Sequence, residues 1–199
     1  MTQPYVHIAG GAEVWMLLHG TGADENDLVP LGRDLFPGAT LVSPRGQVLE
    51  NGRPRWFHRY AEGEFDLPDF HHRTDELANF VRHLKASGIG TDATWNLLGY
   101  SNGANIAHSL LRTHPGLVGD VVLLRPMVID PDDRAERLKG HRALVAAGRH
   151  DLIVPLASAE ALAAELRRGG ADVDLSVAAA GHELTEFDFL RVRAWLSHR

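Results

Sequence analysis

A serine occupies the pattern in this chain that is most typical of covalent chemistry, Gly-Tyr-Ser-Asn-Gly at residues 99–103. A strand-like run precedes it at 94–98, and a helix-like run follows it at 105–111. Gly-x-Ser-x-Gly between a strand and a helix forms a sharp, strained turn that exposes the serine hydroxyl above the sheet. The pattern therefore predicts that Ser101 is a nucleophile.

A serine nucleophile needs a base and an orienting acid, which in this arrangement follow the serine in the order Ser, Asp, His. Asp151 comes just after a candidate strand at 143–147, and His182 comes just after another at 173–177. Because the carboxyl ends of parallel strands meet at one edge of a sheet, both side chains are expected beside Ser101. The order and spacing predict a catalytic triad.

Each member of this set has a distinct chemical role. His182 is expected to take the hydroxyl proton of Ser101 as a general base, and Asp151 to hold the imidazole in the right tautomer. The oxyanion of the tetrahedral intermediate also needs hydrogen-bond donors. We expect them to be the backbone N–H groups of Asn102, directly after the nucleophile, and of Thr21, in a glycine-rich turn after the first strand.

Other carboxylates compete with Asp151 for the role of the acid. Asp130, Asp132 and Asp133 follow the candidate strand at 118–124 and so approach the same edge of the sheet. Their run around a proline is more typical of a loop and a helix start, which favours Asp151.

The remaining histidines are interpreted as structural or exposed. His19 belongs to the turn that is expected to shape the oxyanion site, and His150 precedes Asp151 at the surface. His71 and His72 are adjacent, but no further ligand stands at metal-binding spacing. No metal site and no cofactor are predicted.

Apolar runs alternate with amphipathic stretches along the whole chain. Candidate strands lie at 14–18, 39–43, 94–98, 118–124, 143–147 and 173–177. Candidate helices lie at 26–34, 69–87, 105–114, 158–168 and 183–197. This alternation predicts a single α/β domain over residues 1–199, with a mainly parallel central sheet flanked by helices.

The segment from 44 to 68 breaks this alternation. It is rich in glycine and proline but also carries several aromatic residues, which argues against disorder. We expect a packed loop over the active site in which Trp56 and Phe57 contact substrate, with core packing as the alternative. Met127, just past a strand, is a third candidate for the substrate pocket.

Only residues 125–140 separate two neighbouring candidate strands. This interval is too short for a cap domain, that is, a helical domain inserted over the active site. An active site covered only by loops favours small or medium acyl or aryl esters over long lipids.

The composition limits the classes of partner. The chain has 199 residues, 44% of them hydrophobic, a net charge of −6 and a pI of about 6.0. Neither nucleic acid nor a membrane is therefore an expected partner. The first residues do not have the pattern of a signal peptide, so a cytoplasmic location is expected. The absence of cysteine excludes disulfides and a cysteine nucleophile.

The chain resembles the small, dienelactone-hydrolase-like α/β-hydrolases of the phospholipase/carboxylesterase family. Four segments carry this resemblance: the turn at 18–24, the pattern at 99–103, the Asp151 segment and Gly181-His182. Residues 45–52 and 100–105 are most similar to the MhqD-like hydrolases of that family. The resemblance implies an α/β-hydrolase fold, hydrolysis of carboxylic esters without metal or cofactor, a small-molecule ester substrate and often a homodimer.

Two residues depart from the better-known esterases and thioesterases of the family. Thr21 stands where these usually have leucine, and Asn102 where they usually have glutamine. Both departures weaken any transfer of their substrate preference to this chain. A serine carboxylesterase is the leading hypothesis. The alternatives are a thioesterase of the acyl-protein-thioesterase type and a non-catalytic binding module, which would not need Ser101, Asp151 and His182 together.

Overall fold

A computed structural model describes residues 3–131 and 137–198. Its strands are β1 (Tyr5–Ile8), β2 (Val14–Leu18), β3 (Thr40–Pro44), β4 (Val48–Glu50), β5 (Arg53–Arg55), β6 (Arg59–Ala61), β7 (Glu64–Phe65), β8 (Trp95–Tyr100), β9 (Val118–Leu124), β10 (Arg142–Gly148) and β11 (Asp172–Ala178). Its helices are α1 (Val29–Leu35), α2 (Leu67–Ala86), α3 (Asn102–Thr113), α4 (Leu156–Arg168) and α5 (Glu186–Leu196).

Seven of these strands form the central sheet, in the order β1-β3-β2-β8-β9-β10-β11. Strand β1 is antiparallel to β3, and every other neighbouring pair in this sheet is parallel. The mainly parallel sheet is as predicted. The carboxyl ends of β8, β10 and β11 therefore meet at one edge, where Ser101, Asp151 and His182 follow them.

Helices cover both faces of the sheet, and β2 shows why its sequence is a continuous apolar run. Val14, Met16 and Leu18 pack in the core beneath α2, α3 and α4, while Trp15 and Leu17 pack in the core beneath α1 and α5. A strand buried on both faces has no polar side to alternate with its apolar side.

The helix boundaries differ from prediction where local side-chain bonds decide them. The first helix begins at Val29, not Asn26, because the backbone N–H of Asn26 donates to Asp24 Oδ1 at 2.8 Å in a turn. Helix α2 begins two residues earlier than expected because Asp66 caps it, accepting from the Asp69 N–H at 3.0 Å.

The segment from 44 to 68 is not the loop without regular structure that we expected. It forms two hairpins, β4–β5 and β6–β7, apart from the main sheet. Asn51 and Gly52 link β4 to β5 with φ angles of 51° and 77°, the left-handed pair of a type I′ turn. Asn-Gly is a sequence signal for this turn, so the first hairpin was predictable.

The connection between β9 and β10 carries no cap domain in its described portions, 125–131 and 137–141. The α/β-hydrolase fold therefore has its site covered by the hairpin segment and by short turns. No helix within the described ranges is both long enough and apolar enough to cross a membrane.

Candidate active site

Ser101 lies at the turn between β8 and α3 with strained backbone angles, φ 53° and ψ −116°. The turn is tight because α3 starts at the next residue and passes close to β2. A Cβ atom at Gly103 would lie 1.9 Å from the carbonyl oxygen of Leu18, and one at Gly99 would lie 2.5 Å from that of Gly103. Only glycine fits at both positions, which explains the spacing of the motif.

The structure brings Ser101, His182 and Asp151 into one hydrogen-bonded chain. His182 Nε2 lies 2.9 Å from Ser101 Oγ, and His182 Nδ1 lies 2.8 Å from Asp151 Oδ2. Because the carboxylate only accepts, the imidazole proton is assigned to Nδ1, which leaves Nε2 free to accept the serine hydroxyl proton.

Asp151 is itself held in place by the turn that follows β10. Its Oδ1 accepts the backbone N–H groups of Ile153 and Val154, both at 2.8 Å. The side chain is 1% exposed, whereas that of His182 is 18% exposed. The acid is thus fixed and shielded, while the histidine faces the cavity.

The competing carboxylates have other partners or lie outside the described residues. Asp130 contacts Arg112 Nη2 at 3.4 Å and His71 Nε2 at 3.2 Å through its side chain. Asp132 and Asp133 are not among the residues that the structure describes. Within the described ranges, no group of three or more histidines and carboxylates could hold a metal ion.

His19 connects the glycine-rich turn after β2 to the hairpin segment. Its Nε2 accepts the Gly46 N–H at 3.0 Å, so Nδ1 carries the proton and donates to the Gly20 carbonyl at 2.7 Å. Burial lowers the pKa of His19, against the effect of the Gly20 hydrogen bond, and keeps the ring neutral. His150, by contrast, is exposed.

Thr21 and Asn102, the expected oxyanion donors, line the same cavity as Ser101 and His182. Asn102 is the first residue of α3, so its N–H has no acceptor within the helix. The amino end of a helix also favours negative charge. The Asn102 N–H is therefore suited to an oxyanion, and Thr21 lies in the wall of the same cavity.

Trp56 and Phe57 do not line the cavity, which corrects our expectation. Trp56 is 3% exposed: its backbone N–H donates to Asn102 Oδ1 and its Nε1–H to the His19 carbonyl, both at 2.8 Å. Phe57 is fully buried and packs edge-to-face on Phe70 of α2, with ring centroids 4.7 Å apart. Helix α2 covers these rings, so the core-packing alternative is the one observed.

The cavity beside Ser101 has a volume of about 540 Å³ and mixed walls. Met127 lines it as expected, together with apolar side chains that the sequence did not single out, Phe65, Ile153 and Val154. The charged side chains in its lining are Asp27, Arg55, Arg59 and Glu62. The hairpin segment thus contributes Arg55, Arg59 and Phe65 to the wall, and not the predicted Trp56 and Phe57.

Arg125 is a site-supporting residue that the sequence reasoning missed. It is 1% exposed, has φ 54°, and forms a two-point ion pair with Asp188 of α5 at 2.9 and 2.8 Å. It also donates to the carbonyls of Gly181 at 3.1 Å and Glu183 at 2.8 Å, on either side of His182. A charged residue directly after an apolar strand was the available signal.

The Arg125–Asp188 pair is fully withdrawn from water. Burial by itself raises the pKa of Asp188, but the hydrogen bonds from Arg125 and from the Thr185 backbone outweigh it and hold that pKa below its usual value. Tyr100 adds a further restraint because its hydroxyl donates to the His182 carbonyl at 3.0 Å. The histidine loop is therefore held from two sides.

A mainly parallel sheet with a serine at a strained strand–helix turn defines the α/β-hydrolase class. The Bacillus subtilis (strain 168) protein MhqD, whose name marks it as a candidate hydrolase, is 38% identical over 182 residues, 92% of this chain and 91% of its own. The chain belongs to the phospholipase/carboxylesterase family of small α/β-hydrolases.

Solved structures agree with this assignment. A Bacillus cereus carboxylesterase superposes with a TM-score of 0.93 at 37% identity, covering 98% of this chain and 94% of that one. A carboxylesterase from Mesorhizobium loti superposes with a TM-score of 0.90 at 37% identity, covering 99% and 95%. No protein-family model matches the chain. The protein is an esterase-type hydrolase.

Proposed function

We propose that the protein is a serine carboxylesterase that works through an acyl-enzyme at Ser101. The observation that supports this most directly is the hydrogen-bonded chain from Ser101 Oγ through His182 to Asp151, at 2.9 and 2.8 Å. A serine hydroxyl becomes a good nucleophile only when a neighbouring base removes its proton, and this arrangement supplies the base and its orientation.

Acylation follows from the positions of these atoms. Ser101 Oγ attacks the ester carbonyl carbon while its proton passes to His182 Nε2, and the carbonyl oxygen becomes an oxyanion facing the N–H groups of Thr21 and Asn102. The ester C–O bond then breaks, and His182 gives the proton to the departing alkoxide. Asp151 stabilises the imidazolium in between.

Deacylation repeats the sequence with water as the nucleophile. His182 removes a proton from a water molecule, which attacks the acyl carbon, and returns the proton to Ser101 Oγ as the acid leaves. Removing one donor from an oxyanion site costs about 2.7–4 kcal/mol of transition-state stabilisation. Because Thr21 and Asn102 donate through the backbone, substituting their side chains does not remove the donors.

Labelling with a fluorophosphonate probe tests this proposal and also separates an enzyme from a non-catalytic binding module. The probe reacts covalently only with an activated serine, so we expect labelling of the wild-type protein and its loss in Ser101→Ala. Ser197→Ala, at the end of α5, is the matched control and should label normally. Absence of wild-type labelling, or its persistence in Ser101→Ala, would reject the proposal.

A further inference from the structure

Arg55 is a buried arginine in the wall of the active-site cavity. The residue is 2% exposed and lines the cavity together with Ser101. Its one side-chain hydrogen bond among the described residues runs from Nη1 to Glu50 Oε2, at 2.9 Å. Its Nε is buried without any partner in the described part of the chain.

Glu50 does not compensate Arg55 fully, because a second arginine binds the same carboxylate more completely. Arg59 donates from Nε to Glu50 Oε1 at 2.8 Å and from Nη2 to Oε2 at 2.9 Å. These hydrogen bonds from Arg59 are the main cause that lowers the pKa of Glu50, to about 2. Two positive charges thus share one carboxylate at this wall.

The part of Arg55 that a ligand can reach is Nη2. Nε is buried away from the cavity, whereas Nη2 has no hydrogen-bond partner among the described residues and can donate to an oxygen of a ligand carboxylate. Burial lowers the pKa of Arg55, partly offset by the Glu50 hydrogen bond, which reflects a charge removed from water without a full set of acceptors. A ligand carboxylate would supply an acceptor for Nη2.

We propose that the cavity takes esters bearing a second, free carboxylate, such as half-esters of dicarboxylic acids, and that Arg55 binds this carboxylate. The inference rests on the proposed serine esterase function. Asp27 and Glu62 also line the cavity, and their negative charges oppose a dianion such as a phosphate more than a single carboxylate. The apolar wall at Phe65 and Met127 suits the short hydrocarbon link between the two groups.

The free carboxylate of the substrate does not change the chemistry of the ester group. Ser101 Oγ bonds to the ester carbonyl carbon, the alcohol leaves with the proton carried by His182, and water releases the diacid. The carboxylate at Arg55 neither gains nor loses a bond. Its contribution is to orient the ester over Ser101.

Binding of succinate, measured by isothermal titration, tests the anion site without any turnover. We expect Arg55→Met to weaken succinate binding about tenfold or more, because a charged hydrogen-bonded pair is lost, and Arg55→Lys to retain part of it. Arg53→Met is the matched control, since Arg53 is exposed on the same strand and does not line the cavity. Equal affinity in the wild type and Arg55→Met, or no wild-type binding, would overturn the proposal.

Hydrolysis of a matched substrate pair tests specificity. Ethyl hydrogen succinate carries a distal carboxylate, and ethyl succinamate carries a neutral carboxamide of similar shape in its place. Hydrolysis of either ester releases acid, which can be titrated. We expect wild-type kcat/KM to favour the half-ester by about tenfold, and Arg55→Met to remove that preference. An equal loss for both substrates in Arg55→Met would mean a structural role and would contradict the proposal.

These measurements separate the two proposals. Succinate binding that depends on Arg55, together with no hydrolysis of either ester and no fluorophosphonate labelling, would reject the esterase mechanism while leaving the anion site in place. Hydrolysis of both esters with no preference for the half-ester would reject the anion site while leaving the esterase mechanism in place.

Discussion

Asp151 combines two tasks that its two carboxylate oxygens perform separately. Oδ1 accepts the N–H groups of Ile153 and Val154, while Oδ2 accepts the proton on His182 Nδ1. The residue therefore fixes the local turn through one atom and the imidazole tautomer through the other. A substitution that keeps the hydrogen bonds to Ile153 and Val154 but reverses the direction of the one to His182 would test the role of Asp151 toward the imidazole alone.

Asp151→Asn is such a substitution. The amide oxygen can still accept from Ile153 and Val154, while the amide NH₂ would face His182 Nδ1 and force the proton onto Nε2. We expect kcat to fall on the order of 10⁴-fold with the fold retained. Ester kinetics and urea unfolding measure the two effects. A kcat within tenfold of wild type would show that Asp151 is not the orienting acid.

At the scale of elements, α5 and Arg125 at the end of β9 support the site without lining its cavity. Asp188 accepts Arg125 through both oxygens and also accepts the N–H and hydroxyl of Thr185 at the start of α5. One carboxylate thus caps a helix and anchors the arginine that holds the His182 loop.

Asp188→Asn should destabilise the fold by roughly 3–5 kcal/mol, because it leaves the buried Arg125 charge without its partner. We also expect a lower kcat, since Arg125 holds the carbonyls on both sides of His182. Urea unfolding at neutral pH measures the stability change, and Glu186→Gln, exposed on the same helix, is the control. A loss below about 1 kcal/mol would contradict this role.

Acid should remove the stability that the Arg125–Asp188 pair contributes. The pKa of Asp188 is lower in the folded state than in the unfolded chain, so its stabilisation is complete above the unfolded value of about 3.9. It is then lost as the pH falls through the lower folded-state value. The stability difference between wild type and Asp188→Asn should therefore narrow on acidification below about pH 4.

At the scale of the whole molecule, the absence of a cap in the described chain leaves the cavity bounded by the hairpin segment and short turns. A volume of about 540 Å³ with apolar and charged walls suits small or medium acyl and aryl esters. The homodimer implied by the family resemblance stays a prediction.

A series of p-nitrophenyl esters of increasing acyl length tests this size limit. We expect kcat/KM to peak at about eight carbons or fewer and to fall for longer chains, because the described chain has no cap to bury them. Ser101→Ala, measured in parallel, gives the spontaneous rate to subtract. A maximum at twelve carbons or longer would contradict a compact site and favour attack on lipids.

Much of the fold was predictable because it depends on short-range patterns. Runs such as Val14–Leu18 are apolar throughout since both faces are covered, and their alternation with helices identifies a parallel sheet. The Gly-x-Ser-x-Gly spacing reflects the contacts that exclude a Cβ at Gly99 and Gly103. The sequence by itself thus determined the fold class, the elbow at Ser101 and the order of Asp151 and His182.

Only the tertiary structure decided what forms the walls of the site. Nothing near Trp56 in the sequence indicates whether the ring faces substrate or α2, and nothing near Arg125 indicates that its partner is Asp188. Arg55 is a candidate anion-binding residue only because it is buried beside Glu50, a carboxylate that Arg59 already binds. These features depend on contacts between segments distant in the chain, whose pairing is set by packing rather than by local sequence pattern.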